Sequence, residues 1–119
     1  MKNLTLIAIL IAFLASGCEK REEKLVKYIA TDAVSTYTIS YRDQSGSVIK
    51  KDIEAQSAID RWEYSFVAGQ GEIVYVSGNY KDIGSALKVM ILIDGKVYKQ
   101  AATRGDTVRY VTVSGVIPY

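Results

Sequence analysis

The 119-residue chain is predicted to be all-β, an antiparallel sandwich of seven or eight strands behind a short apolar leader. Three observations predict this. Apolar and aromatic residues alternate with polar ones at a period of two in successive short runs. Those runs are rich in β-branched and aromatic residues, and the chain holds nine tyrosines. Glycine-bearing turn signals separate the runs at the short spacing of a sandwich or a barrel.

Strands are expected at 24–31, 34–42, 47–54, 61–67, 72–78, 86–94, 96–103 and 107–116. In the second, Tyr37, Ile39 and Tyr41 alternate with Thr36, Thr38 and Ser40, and Gln44-Ser45-Gly46 turns the chain into the third. Residues 52–60 are ambiguous, since EAQSAI can form one helical turn without changing the class. In the fourth strand Trp62, Tyr64 and Phe66 share a face opposite Arg61, Glu63 and Ser65. Such an aromatic stripe is expected to be core. Ala68-Gly69-Gln70-Gly71 reads as a hairpin turn into the fifth strand. Gly78-Asn79 reads as the turn that ends it, which leaves Tyr80 in a loop. The sixth strand carries Leu87, Val89, Ile91 and Ile93 on one face, while Met90 and Leu92 make its other face apolar too. Asp94-Gly95 suits a two-residue type I′ hairpin into the seventh strand, and Arg104-Gly105-Asp106 turns into the eighth. An immunoglobulin-like sandwich fits best, without the inter-sheet disulfide because Cys18 is the one cysteine.

Residues 1–17 have the build of a signal peptide: Lys2, an apolar run at 4–14, then Ala15, Ser16 and Gly17. As a helix the apolar run would rise about 16 Å, too short for the roughly 30 Å of bilayer hydrocarbon. The small triplet directly before Cys18 resembles a bacterial lipobox, with the leucine of the commonest pattern one place early, at Leu14. In that family of signals the thiol forms a thioether with a diacylglyceryl group, and cleavage makes the cysteine the first residue. An ordinary secretory signal would instead leave a lone free thiol in an oxidising compartment. Cys18 is therefore expected to carry the lipid, and residues 18–24 to form a charged tether reaching at most about 20 Å. Residues 25–119 are expected to be the folded domain, attached to a bacterial membrane of the cell envelope, the outer membrane above all. Glu22-Glu23 soon after the cysteine also resembles the surface-export signal of some Bacteroidota lipoproteins.

The composition removes several chemistries. With no histidine and Cys18 taken, neither a Ser-His-Asp triad nor a Cys-His dyad can be built. Zinc would have carboxylates alone. Asp60 and Glu63 come nearest to a pair for glycoside hydrolysis, but Glu63 faces away from Trp62 and Asp60 stands at a loop end. Asp82 and Asp94 lack the dense oxygen spacing of a calcium loop and read as turn residues. Lys and Arg total 15 against 13 Asp and Glu, with no basic stripe, so nucleic acid is not an expected partner. No catalytic, cofactor or metal site is expected, and the domain is expected to be monomeric. Contact with a partner is expected at a strand edge or loop end, near Tyr80 and Asp82 or Arg104 and Asp106. Tyr119 at the terminus is a further aromatic that alternation leaves unexplained.

The segment GEIVYVSGNYKDIGSALKVMILIDGKVYKQAATRGDTVRY at 71–110 resembles the MmpS-type small membrane proteins and their lipoprotein relatives. The matching features are Trp62, Ile93-Asp94-Gly95, Lys96-Val97, and Ala101-Ala102 running to Gly105. The earlier YTISYRDQSGSVIKKDIE at 37–54 fits the family's tyrosine-bearing strand and hairpin. The resemblance implies an immunoglobulin-like sandwich on the outer side of a membrane. It also implies a role like that of the mycobacterial members, accessory subunits of large RND-type exporters of lipids or siderophores. Two features depart from the family. A lipid-modified cysteine stands in place of a transmembrane helix, and Ile59-Asp60-Arg61 precedes Trp62 in place of Leu-Pro.

The expected function is that of a non-enzymatic, lipid-anchored accessory or adaptor subunit of a membrane transport complex. The alternative is a cell-surface lipoprotein that binds a glycan or another extracellular ligand on surface tyrosines.

Overall fold

The computed structural model describes residues 22–106 and 108–118. The expected signal peptide at 1–17, Cys18 and Tyr119 lie outside the described residues. Eight strands follow in order: β1 (Glu23–Thr31), β2 (Tyr37–Arg42), β3 (Val48–Ile53), β4 (Trp62–Gly69), β5 (Ile73–Tyr80), β6 (Ala86–Ile93), β7 (Lys96–Arg104) and β8 (Tyr110–Val116). They form two four-stranded sheets, β4-β1-β6-β7 and β3-β2-β5-β8, in which every pairing is antiparallel. This is the predicted sandwich. The order β3-β2-β5-β8 follows the C′-C-F-G sheet of an immunoglobulin domain, and β1 pairs with β4 as B pairs with E. The β6–β7 hairpin occupies the flank of β1 that strand A takes in that fold.

Alternation sets the core. Tyr37, Ile39 and Tyr41 of β2 are buried, as are Leu87, Val89, Ile91 and Ile93 of β6, facing Val26, Tyr28, Val74 and Val76 across the sandwich or beside them. The aromatic stripe of β4 is split by its place at a sheet edge. Phe66 is buried 5.1 Å from the Tyr28 ring, while Trp62 and Tyr64 are half-buried and lie 4.9 and 4.7 Å from the Tyr41 ring. On the opposite side the sandwich is closed by β7 against β8. A bulge at Ile91/Leu92 leaves Tyr98 as the extra residue of β7. Its hydroxyl donates to the Val116 carbonyl at 2.9 Å, and Lys99 Nζ donates to the Ser114 carbonyl at 3.0 Å.

Turn chemistry follows expectation at Asp94-Gly95, where φ is 51° and 82°, the pair of left-handed residues that a type I′ hairpin requires. Residues 54–61 form no helical turn. They make a loop in which the Gln56 N–H donates to Asp60 Oδ2 at 2.9 Å and the Asp60 N–H donates to the Ser57 carbonyl at 3.0 Å.

Two turn assignments are corrected. Residues 69–72 are not a hairpin turn, because β4 lies in one sheet and β5 in the other. The segment is a corner between sheets, held by Gln70 N–H on the Glu22 carbonyl at 3.1 Å and Gly71 N–H on the Ile117 carbonyl at 2.9 Å. Gly78-Asn79 is not a turn either but lies within β5. Gly78 is there for space: a Cβ on it would stand 2.4 Å from Leu87 Cδ2 and 3.2 Å from Ile39 Cδ1.

The connections divide between two ends. The corner at 69–72 and the β6–β7 turn surround the start of β1, where Gln70 N–H meets the Glu22 carbonyl and Asp94 N–H donates to the Leu25 carbonyl at 2.8 Å. The β2–β3 turn shares that end, beside Ala68, Glu72 and Ile73. The β1–β2, β3–β4, β5–β6 and β7–β8 connections lie at the other end, linked by Asp32 N–H to the Ala58 carbonyl and Gly105 N–H to the Ser85 carbonyl. A strand of eight residues separates the two by about 26 Å.

Candidate partner-binding end

The four residues expected at a contact surface, Tyr80, Asp82, Arg104 and Asp106, all belong to the end opposite Glu22. Tyr80 is a correction. It is not in a loop and not exposed, being the last residue of β5 and 3% accessible. Its hydroxyl donates to the Gly105 carbonyl at 2.8 Å and so fixes the β7–β8 connection from below. Strand β5 runs two residues beyond Gly78, and the inward parity of Val74, Val76 and Gly78 carries Tyr80 into the core.

Asp82 caps the β5–β6 turn. Its Oδ1 accepts the Gly84 N–H at 2.9 Å and its carbonyl accepts the Ser85 N–H at 3.0 Å, an Asx-type local closure. Ser85 behind it is buried, and its Oγ accepts the Val34 N–H at 3.2 Å, tying the β1–β2 connection to this turn. Arg104 ends β7 opposite Ala86, with its side chain exposed. Asp106 is exposed on the β7–β8 connection. Arg109 joins that connection to β5: Nη1 donates to the Lys81 carbonyl at 3.2 Å, and its own carbonyl accepts the Tyr80 N–H at 3.0 Å.

Two shallow grooves flank Lys81. One, of about 560 Å³, runs between Asn79 and Lys81 on one bank and Asp106, Val108 and Tyr110 on the other. The second, of about 360 Å³, lies between Asp82 and residues Ser35, Thr36, Thr38 and Asp52. In it Ser35 Oγ is shielded from solvent and has no hydrogen-bond partner among the described residues. Arg104 lines neither groove; it stands by Asp32 and Thr103 on the far side of the turn.

The same end presents apolar side chains that the sequence reading did not single out. Ile59 is 87% exposed, Ile83 62% and Tyr110 67%, with Val34 and Val108 also exposed. The signal for Tyr110 was available in the alternation of β8, where Val111 and Val113 are buried and Tyr110 therefore points outward. Ile59 and Ile83 were visible as apolar residues within turn segments.

The carboxylate pair considered from sequence is occupied locally. Glu63 Oε1 lies 2.7 Å from Arg61 Nη2, and Asp60 accepts from Gln56. Asp94 accepts the Leu25 N–H at 3.0 Å, which accounts for it as a turn residue. Among the described residues no three of His, Cys, Asp and Glu gather as a metal-binding group. No protein-family model and no curated protein gives a significant match to the chain.

Proposed function

We propose that the chain is a non-enzymatic lipoprotein of the bacterial envelope, held by Cys18, whose free loop end receives a partner in the same membrane. The role is that of an accessory or adaptor subunit of a transport complex, in the manner of the MmpS-type proteins it resembles. One observation carries this reading. The start of β1, the strand that follows Cys18 in sequence, and the end bearing Asp82, Arg104, Asp106 and exposed Ile59, Ile83 and Tyr110 are at opposite poles of the sandwich. Exposed apolar tips among mixed charges suit a protein surface, whose contact core is apolar and whose rim is polar. Confinement to one membrane raises the effective concentration of such a partner.

A photo-crosslinking residue at Ile83 tests the reading in intact cells. It should capture a subunit of a membrane transporter, and capture should fall when Cys18→Ser releases the domain. Cys18→Ser should also abolish uptake of labelled fatty acid, and undiminished labelling would end the lipoprotein reading.

A second reading, binding of an extracellular glycan, draws support from Tyr110, whose exposed ring lines one groove. Tight binding of a defined oligosaccharide by the domain, with no protein captured, would replace the adaptor role with that one.

A further inference from the structure

The outward faces of the two sheets differ in kind. On β3-β2-β5-β8 the central outward positions are hydroxyl-bearing, Thr38, Ser40, Ser77, Thr112 and Ser114, and the exposed apolar Val48, Ile73 and Val116 stand only at the strand ends nearest Glu22. On β4-β1-β6-β7 they are paired apolar side chains. Leu25 stands opposite Val67, Ile29 opposite Met90, and Leu92 opposite Val97. Their strand neighbours Val26, Tyr28, Phe66 and Ile91 belong to the core, so these six point away from it. Ile29 is nearly inaccessible yet is not part of the core cluster, which leaves the outward face itself to shelter it. Leu25, Val67 and Val97 are exposed. The second apolar register of β6, Met90 and Leu92, thus has no function in the core.

Two observations bear on what covers this face. β1, the strand nearest Cys18 in sequence, begins at Glu23 and runs through the middle of this sheet between β4 and β6. Cys18 is four residues upstream of Glu22, at most about 14 Å of extended chain. Charge points the same way. Lys27 and Lys88 stand among the apolar residues without a salt bridge among the described residues, whereas Glu63 is neutralised by Arg61 and Glu23 lies at the rim.

We infer that this face is the surface by which the domain rests on the bilayer that holds its anchor. The apolar side chains meet the lipid interface, while the stems of Lys27 and Lys88 lie along them and their ammonium groups reach anionic headgroups. The strands then run parallel to the membrane, and the loop end points sideways toward neighbours in it. The inference rests on the anchor reading for its tether and deepens it by assigning an orientation.

The chain beginning at Cys18 retains both sheets and the whole core. Its thiol is coupled to a maleimide-bearing lipid in vesicles of phosphatidylethanolamine and phosphatidylglycerol. In a Trp62→Phe background a single reporter is introduced as Val67→Trp or, on the opposite face, Thr112→Trp. Brominated lipids should quench the Val67→Trp signal about twofold more than the Thr112→Trp signal, as for an interfacially seated surface. Changing both Lys27 and Lys88 to Gln, or replacing phosphatidylglycerol by phosphatidylcholine, should narrow the difference. Equal, water-like emission from both positions overturns the inference. So does emission from Val67→Trp that is shielded but insensitive to bromolipid, with crosslinked dimers showing that a second copy covers the face. The chemical coupling supplies the tether, so fatty-acid labelling in cells reads the anchor separately from this result.

Discussion

The Tyr28 hydroxyl accepts the Tyr75 N–H at 3.2 Å while donating to the Arg42 carbonyl at 2.8 Å. The β2–β5 ladder would next pair Arg42 with Tyr75, but it stops one step earlier, at Tyr41–Val76. A side chain from the other sheet is therefore inserted where a backbone hydrogen bond would lie. It joins β1 to β5, the strands that take the places of B and F, which a disulfide links in antibody domains.

Tyr28→Phe removes that insertion and leaves the partly buried Arg42 carbonyl and Tyr75 N–H without their partner. The loss is expected to be about 1–3 kcal/mol in urea unfolding, the range for stranding buried polar groups. A loss below about 0.5 kcal/mol would mean that the ladder closes on itself once the hydroxyl is gone.

Alkaline pH should unfold the domain through its buried phenols. Burial pushes Tyr28 up to about 12, against a smaller opposing effect of the Tyr75 N–H, and burial with the nearby Asp60 charge pushes Tyr37 up to about 12. The folded protein thus holds these protons more tightly than the unfolded chain, whose phenols titrate near 10. The stability they contribute is complete below pH 10 and is lost as pH rises from about 10 through about 12. Denaturation midpoints across that range should fall, and Tyr28→Phe should flatten the fall.

Gly78→Ala places a methyl 2.4 Å from Leu87 Cδ2 in the centre of the core. Overpacking of this kind is expected to cost about 1–3 kcal/mol. Adding Leu87→Val should recover part of the loss, so that the double variant is more stable than the sum of the single effects predicts. Strict additivity would show that the methyl is accommodated elsewhere.

Trp62→Ala should cost about 2 kcal/mol, below the 3–5 kcal/mol of a fully buried ring. The ring is half-buried at the edge strand and packs at 4.9 Å on Tyr41. Thermal unfolding followed by far-ultraviolet circular dichroism measures it, and a loss of about 4 kcal/mol or more would place the ring fully in the core.

Period-two alternation by itself determined the strands and their inward faces. Tyr37-Ile39-Tyr41 and Leu87-Val89-Ile91-Ile93 point into the core because neighbouring side chains on an extended backbone must project oppositely. Asp94-Gly95 determined its own hairpin, since a type I′ turn depends on two local φ angles. The class of the fold and the places of Asp82 and Asp106 in turns were legible for the same local reason, whereas their meeting with Arg104 at one end of the sandwich was not.

Tertiary structure alone decided what depends on distant neighbours. Gly78 reads as a turn residue in isolation and is a strand residue because Leu87 and Ile39 occupy the space of its side chain. That extension of β5 is what buries Tyr80. Gly69-Gln70-Gly71 has the composition of a hairpin turn, yet β4 pairs with β1 and β5 with β2, so the segment becomes a corner between sheets. Trp62 and Tyr64 have the same alternation as Phe66 but less burial, because β4 is the edge strand of its sheet and only Tyr41 of the facing sheet stacks on their rings. Alternation is a property of adjacent residues. Pairing partners, edges and close approaches are set by contacts between segments tens of residues apart, and only the folded chain brings those together.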